Sequence, residues 1–140
     1  MKIIAHRANI SGPNSYEENK IDSIKTCIEN GYDVEIDIRF LNGQLYLGHD
    51  NAEEIITIQE LAKIKNKLWI HCKNLDAISY FSQIDEEFNY FWHENDSYTL
   101  TSKGYIWAYP GQELSLKCIC VLPEIKNSIN DISFIRNIKV

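Results

Sequence analysis

The stretch DVEIDIRF, residues 33–40, decides how the rest of the chain is interpreted. Apolar and polar side chains alternate along it, which is the two-residue period of a β-strand. The polar face of this strand carries Asp33, Glu35, Asp37 and Arg39. In many sheets such a face is turned toward water. The neighbouring sequence must therefore decide between a solvated surface and a functional one.

Short apolar runs lie on both sides of this stretch, and each ends in groups suited to acid–base or ionic chemistry. The upstream run KIIAHRA ends with His6 and Arg7, and the downstream run QLYLGHD ends with His49 and Asp50. Three neighbouring predicted strands thus finish in charged or imidazole side chains. This arrangement favours a site over a solvated surface.

The composition is that of an ordinary globular chain. Its 140 residues suit a single domain, residues 1–140, and 44% of them are hydrophobic and 24% charged. The net charge of −6 and the lack of a Lys/Arg cluster argue against a nucleic-acid partner. No apolar run suits a signal peptide or a membrane span, so we expect a cytoplasmic protein with no membrane partner. The four cysteines lack metal-site spacing and are expected to be reduced and mostly buried.

Helix and strand signals alternate along much of the chain. Helical spacing of apolar residues predicts three helices, within YEENKIDSIKTCIENG, from about Ile58 to Lys65, and over LDAISYFSQI. Asn42 and Gly43 predict a hairpin turn between the second and third strands. Later strands are predicted in KLWIHCK, FNYFWHE, KGYIWAY, LKCICVLP and FIRNIKV.

Alternating strands and helices predict an α/β fold with a mostly parallel sheet, in which ligands bind at the carboxyl ends of the strands. All four histidines of the chain fall at or near the end of a predicted strand: His6, His49, His71 and His93. Because Glu35 and Asp37 belong to the same edge, we expect a functional site there.

The residue types at this edge suit phosphodiester cleavage. Glu35 and Asp37 are two residues apart on one face, so both carboxylates can reach one divalent cation, and oxygen ligands suit Mg²⁺, Ca²⁺ or Mn²⁺. His6 and His49 can act as general base and general acid near neutral pH. Arg7 offers a bidentate fork for a phosphate. The cation and the arginine would stabilise the charge that develops during cleavage.

These motifs resemble the glycerophosphodiester phosphodiesterase family of the phospholipase-C-like TIM-barrel superfamily. The family pattern is a strand ending in HR, then EN, then a strand with E-x-D, then a strand ending in HD. This chain has IIAHRA, EEN and NGYDVEIDIRFLNGQLYLGHD in that order across residues 2–50. The resemblance implies that His6 and His49 are the acid–base pair, and that Arg7 binds the phosphate.

The same resemblance implies that Glu35 and Asp37 hold the metal, while Glu18 and Asn19 position the first loop and cap the helix. The family's next landmark is an E-x-K strand, and the chain departs from it at WIHCK. There His71 replaces the glutamate. An imidazole ligand shifts the expected preference from Ca²⁺ toward Mn²⁺, Zn²⁺ or Fe²⁺, and the other interpretation is that the metal role has been lost.

Lys73 matches the lysine of the same landmark, as a phosphate ligand or as an ion-pair partner of Asp37. Further substrate contacts are expected after the later strands, from His93 and Glu94 and from Trp107 and Tyr109.

The fold implied by the resemblance is a TIM (β/α)8 barrel, which usually takes about 250 residues. A chain of 140 residues therefore predicts a small, trimmed or incomplete barrel with reduced helices and an open site. Formation of a homo-oligomer would cover such a site and the strand faces left bare.

Two classes of function follow from these observations. The first is a metal-dependent phosphodiesterase that cleaves a small phosphodiester, which is glycerophosphodiester-like or linked to a glycan or nucleotide. The second is a catalytically inactive module that binds a phosphate ligand on the same fold. The histidine pair favours the enzyme, because phosphate binding needs Arg7 but does not need two titratable groups beside it.

Overall fold

The structure is a computed structural model that describes residues 2–125. The chain divides into two compact units, the first Met1–Trp92 and the second beginning at His93. The single domain predicted for residues 1–140 stays a prediction.

The first unit is built on a mixed six-stranded sheet. Its strands are β1 (Ile4–Ala5), β2 (Asp33–Leu41), β3 (Gln44–Leu47), β4 (Glu54–Ile56), β5 (Leu68–Cys72) and β6 (Tyr90–Trp92). The spatial order is β4-β3-β2-β5-β6, and β1 also pairs with β2. The strands β1, β2, β5 and β6 run parallel, whereas β3 and β4 are antiparallel to their neighbours.

Three helices accompany this sheet: α1 (Ile21–Glu29), α2 (Ile58–Ile64) and α3 (Leu75–Gln83). Two of them begin at the side-chain caps that their sequences supply. Thr57 and Glu60 form a reciprocal capping box at the start of α2, and Asn74 accepts a hydrogen bond from the backbone of Ala77 at the start of α3. The predictions of all three helices are confirmed to within a few residues of their ends.

The strand β2 lies at the centre of the first unit and is buried on both faces. Its apolar side chains Val34, Ile36 and Ile38 are fully buried in the hydrophobic core, which α1 and α3 cover with residues such as Cys27 and Phe81. The acidic face is buried as well: Asp33, Glu35 and Asp37 are 3%, 1% and 0% exposed. Since burying a carboxylate is costly unless it is paired, this face is not the solvated surface of an ordinary strand.

The predicted hairpin between β2 and β3 is confirmed. Asn42 and Gly43 both have positive φ, 51° and 77°, as a two-residue turn with the right-handed twist of the strands requires. Register then places Arg39 opposite Tyr46 and Ile38 opposite Leu47.

The predicted TIM barrel is wrong, even in its small, trimmed or incomplete form. Residues 2–125 contain two separate mixed sheets and three short helices, and neither sheet closes. The physical reason lies in the connections. A two-residue hairpin can only reverse the chain, so β3 is antiparallel to β2, whereas a barrel needs eight parallel strands joined by helical crossovers. The expectation of a parallel sheet holds for β1, β2, β5 and β6, and fails only for β3 and β4.

The second unit contains a three-stranded sheet of β7 (Tyr98–Leu100), β8 (Ile106–Ala108) and β9 (Cys118–Cys120). The strand β7 is antiparallel to β8, and β9 is parallel to β8. The short strands β4 and β7 were not anticipated from the sequence, and the strand predicted in FIRNIKV lies outside the described residues. Among residues 2–125 no helix combines the length and the apolar character needed to cross a membrane.

Candidate metal and acid–base site

The three predicted metal ligands converge where the middle of β2 lies beside the carboxyl end of β5. Glu35 and Asp37 lie on one face of β2, and the parallel register of β5 places His71 directly beside Asp37. Nδ1 of His71 is 3.1 Å from Oδ1 of Asp37 and 3.8 Å from Oε1 of Glu35. One ligand atom from each of the three side chains lies within 4.8 Å of the others. All three residues are buried.

Arg7 reaches this cluster through an unusual backbone turn. The 3₁₀ turn His6–Ala8 follows β1, and Arg7 and Ala8 have φ values of 52° and 60°, in the left-handed region that ordinary side chains disfavour. This conformation points the backbone N–H of Arg7 at Oε2 of Glu35, 2.8 Å away. The guanidinium is held by two acids, with Nη1 3.3 Å from Oε1 of Glu18 and Nε 3.6 Å from Oδ2 of Asp37.

Both predicted acid–base histidines lie beside the cluster. Nε2 of His6 is 3.8 Å from Oε2 of Glu35, and the charge of His49 acts on the pKa of both His6 and Asp37. Their side chains are about one-third and one-quarter exposed, at 35% and 26%. Both can therefore meet a ligand that approaches from solvent.

The loop that carries His49 is closely defined. Gly48 has a φ of 142°, and a Cβ atom at this position would lie 2.0 Å from the carbonyl oxygen of Asn51, so only glycine fits. Arg39 donates from Nη2 to the backbone carbonyl of His49 at 2.6 Å, and Nδ1 of His49 lies 2.8 Å from Oδ1 of Asp50. The fourth polar residue of β2 therefore supports the histidine loop.

The two buried carboxylates differ in their affinity for a proton. Burial and then the charge of Asp37 raise the pKa of Glu35 well above its ordinary value. Burial also opposes ionisation of Asp37, but the contact with His71 and the hydrogen bond from Asn19 outweigh it and lower its pKa to about 2. Burial and the Arg7 charge lower the pKa of His6 to about 4. Asp37 is therefore the stronger acid of the pair and Glu35 the weaker one.

Lys73 is the second cation at the site. Its Nζ is 3.9 Å from Oδ1 of Asp37, and its backbone N–H donates to the carbonyl of Ile38 at 2.8 Å. The side chain is 15% exposed. Of the two roles predicted for Lys73, the pairing with Asp37 is the one seen among the described residues.

The EN motif contacts the first loop at Arg7, as predicted, but it does not cap the helix. Lys20, not Asn19, is the N-cap of α1, and its side chain makes no capping hydrogen bond; the backbone N–H of Ile21 instead donates to Oε2 of Glu54 at 3.1 Å. Asn19 is instead buried against Asp37, and Glu18 pairs with Arg7. The sequence match to EN was the available signal, but the positive φ of Asn19, 54°, and its contact across 18 residues cannot be seen in a linear pattern.

The predicted substrate contacts of the later strands lie in the second unit. The rings of His93 and Tyr109 are 4.1 Å apart, Trp107 is 5% exposed and Glu94 is exposed. The structure brings His93 together with Tyr109 within this unit. Their roles in substrate binding stay predictions, as does the homo-oligomer.

Comparisons with known proteins do not place the chain in a family. No protein-family model matches the chain, and no curated protein or solved structure shows a significant match. The resemblance to glycerophosphodiester phosphodiesterases therefore remains a hypothesis carried by the motifs, and the site must be judged by its own chemistry.

Proposed function

We propose that the chain is a divalent-metal-dependent phosphodiesterase that cleaves a small phosphodiester, in the manner of the glycerophosphodiester phosphodiesterase family. The convergence of Glu35, Asp37 and His71 at one buried point is the observation that carries this proposal. These are the three positions at which the motif pattern, taken residue by residue, requires metal ligands. The proposal depends on this local geometry and not on a barrel.

The donor set fits a divalent cation. Two carboxylates and one imidazole are a ligand combination typical of Mn²⁺, Zn²⁺ or Fe²⁺, and Mg²⁺ and Ca²⁺ remain the metals implied by the family resemblance. Oδ1 of Asp37 is buried and accepts no well-formed hydrogen bond from the described residues, although Nδ1 of His71 lies 3.1 Å away. A buried carboxylate oxygen without a hydrogen bond is costly, and a cation held by Glu35, Asp37 and His71 would satisfy it.

The cations and histidines of the chain supply the remaining chemistry. Arg7 and Lys73 lie beside the carboxylates and present positive charge where a phosphate would bind. One of His6 and His49 takes the proton from the attacking hydroxyl or water, and the other gives a proton to the leaving alcohol oxygen as its bond to phosphorus breaks. A bound divalent cation would polarise the phosphoryl group as a Lewis acid. Attack by water would give a phosphomonoester, and attack by a neighbouring hydroxyl of the substrate would give a cyclic phosphate.

The direct test is hydrolysis of bis(p-nitrophenyl) phosphate by EDTA-treated protein, followed by separate additions of Mg²⁺, Mn²⁺, Ca²⁺ and Zn²⁺. We expect at least one metal to restore turnover in the wild type, and we expect Glu35→Gln, His6→Ala and His49→Ala to abolish it. Asp33→Asn is the matched control, because it neutralises a buried acid on the same face of β2 that lies at the start of the strand and pairs with Lys2 and Lys67.

Folded wild-type protein that binds a metal but hydrolyses no phosphodiester would contradict the enzyme and favour the phosphate-binding module. Isothermal titration with inorganic phosphate, with Arg7→Gln as the negative control, would then test that second function. Retained turnover in Glu35→Gln would contradict the assigned site itself.

A further inference from the structure

We propose that Asn19 is the positioning residue of the site and fixes the carboxylate of Asp37 in the orientation that cation binding requires. This inference rests on the proposed function, since it assigns a role within the same metal site. The residue lies 18 positions before Asp37 in the chain and is 1% exposed.

Asn19 holds Asp37 by two hydrogen bonds at once. Its Nδ2 donates to Oδ2 of Asp37 at 2.9 Å, and its Oδ1 accepts from the backbone N–H of Asp37 at 2.8 Å. Only the amide nitrogen can donate to a carboxylate, and only the amide oxygen can accept from an N–H, so the pair of bonds also fixes the orientation of the amide. Oδ2 of Asp37 is thereby held by the protein, while Oδ1 is turned toward His71 and Lys73.

Asn19 also connects Arg7, the proposed phosphate ligand, with Asp37, a proposed metal ligand. The backbone N–H of Asn19 donates to the carbonyl of Arg7 at 2.9 Å, and Nε of Arg7 is 3.6 Å from Oδ2 of Asp37. Both amide atoms of Asn19 are already bonded to Asp37, so Asn19 acts through that carboxylate and not as a ligand of its own. Partners of this kind that orient a metal ligand typically change metal affinity by about 10–100-fold when they are removed.

The conformation of Asn19 allows a clean substitution. Its φ of 54° lies in the left-handed region, which glycine adopts without strain. Asn19→Gly therefore removes both side-chain hydrogen bonds to Asp37 and leaves the backbone bond to Arg7 in place. The variant reports on the orientation of Asp37 and not on backbone strain.

The chain offers a matched control in Asn74. This residue makes the same kind of two-bond contact with β2: Nδ2 donates to the carbonyl of Phe40 at 2.9 Å, and Oδ1 accepts from its N–H at 3.1 Å. It contacts backbone and no carboxylate. Asn74→Gly should therefore lower the Tm as a lost cap does without touching the metal ligands.

The test is the affinity of metal-free protein for Mn²⁺, measured by isothermal titration well below the Tm of every variant, with folding checked by circular dichroism. We expect Asn19→Gly to raise the Kd for Mn²⁺ about tenfold or more and Asn74→Gly to leave it within about twofold of wild type. If Asn19→Gly does not fold, Asn19→Ser takes its place with the same expected increase.

Wild-type affinity in the Asn19 variant would overturn the inference while leaving the metal site intact. An equal loss of affinity in Asn74→Gly would also overturn it, because the effect would then be a general consequence of destabilisation. Failure of the wild type to bind Mn²⁺ or any other divalent cation is a different result, which overturns the proposed function and this inference with it.

Discussion

The start and the middle of β2 both bury carboxylates on the same face of the strand, but these carboxylates are paired in different ways. At the start, Asp33 is held by Lys2 at 3.2 Å, by Lys67 at 3.1 Å and by the indole N–H of Trp69 at 3.3 Å. Each partner is within hydrogen-bonding distance. Asp33 is therefore a satisfied structural acid.

In the middle of the strand, the carboxylates of Glu35 and Asp37 share cations that lie farther away. Arg7 and Lys73 lie 3.6 Å and 3.9 Å from the oxygens of Asp37. Burial, and then the charge of Asp37 two residues away, raise the pKa of Glu35. Glu35 and Asp37 are therefore less completely paired with cations than Asp33 is. Incomplete pairing of buried charge is a mark of functional sites. The predictions below test this difference.

The largest expected effect is on metal binding. Asp37→Asn removes the charge of the ligand at the centre of the cluster. We expect the Kd for Mn²⁺ to rise about a hundredfold or more, because removal of a residue that only orients a metal ligand already changes metal affinity by about 10–100-fold. Titration calorimetry measures it, and Asp33→Asn should bind Mn²⁺ as wild type does. An equal loss of Mn²⁺ affinity in the two variants would contradict the distinction between Asp33 and the pair formed by Glu35 and Asp37.

The second effect is on the choice of metal. His71→Glu restores the carboxylate that the E-x-K pattern has at this position, and we expect affinity for Ca²⁺ or Mg²⁺ to rise by about tenfold relative to Zn²⁺, because oxygen ligands suit the harder ions. Competition titrations with a metal-sensitive dye measure the ratio. An unchanged ratio would show that His71 is not a ligand.

The third effect is on stability in the metal-free protein. Asp33→Asn should lower the free energy of unfolding by about 1–2 kcal/mol, less than a fully buried pair because the two lysine side chains are 63% and 44% exposed and recover their hydration. Glu35→Gln should lower it by less than Asp33→Asn does, because burial and the charge of Asp37 already disfavour the ionised form of Glu35. Urea unfolding in EDTA measures both, and a larger loss for Glu35→Gln would reverse the comparison.

The smallest effect is a pH dependence of the stability that Asp33 contributes. Burial raises the pKa of Asp33, but hydrogen bonds from Lys67, Lys2 and Trp69 outweigh it, so the net pKa is lowered from 3.8. A lowered pKa contributes stability that is present above the unfolded value and lost as the pH falls through the folded one. The difference in stability between wild type and Asp33→Asn should therefore be constant above about pH 5 and shrink below pH 3.8. If the difference in stability stays constant down to the lowest pH at which both proteins fold, the charge of Asp33 contributes nothing to stability.

Much of the candidate site was predictable from the sequence because its residues occur in fixed local spacing within predicted strands or directly after them. The E-x-D pair must share a face in any strand, and the hairpin signal at Asn42 and Gly43 needed no tertiary context. The role of Asn19 was missed because its contact with Asp37 depends on a turn with positive φ. The later residues, such as His93 and Tyr109, carried no motif that tied them to the first fifty.

The sequence by itself determined that β2 is a strand with an acidic face, that a hairpin follows it, and that His6, Arg7 and His49 stand at neighbouring ends. These are local properties of side-chain period and turn chemistry. Only the tertiary structure decided that the acidic face is buried, that His71 lies beside Asp37, and that the strands form two open mixed sheets in place of a barrel. Burial, register and closure depend on contacts between segments far apart in the chain, which the spacing of residues along it does not encode.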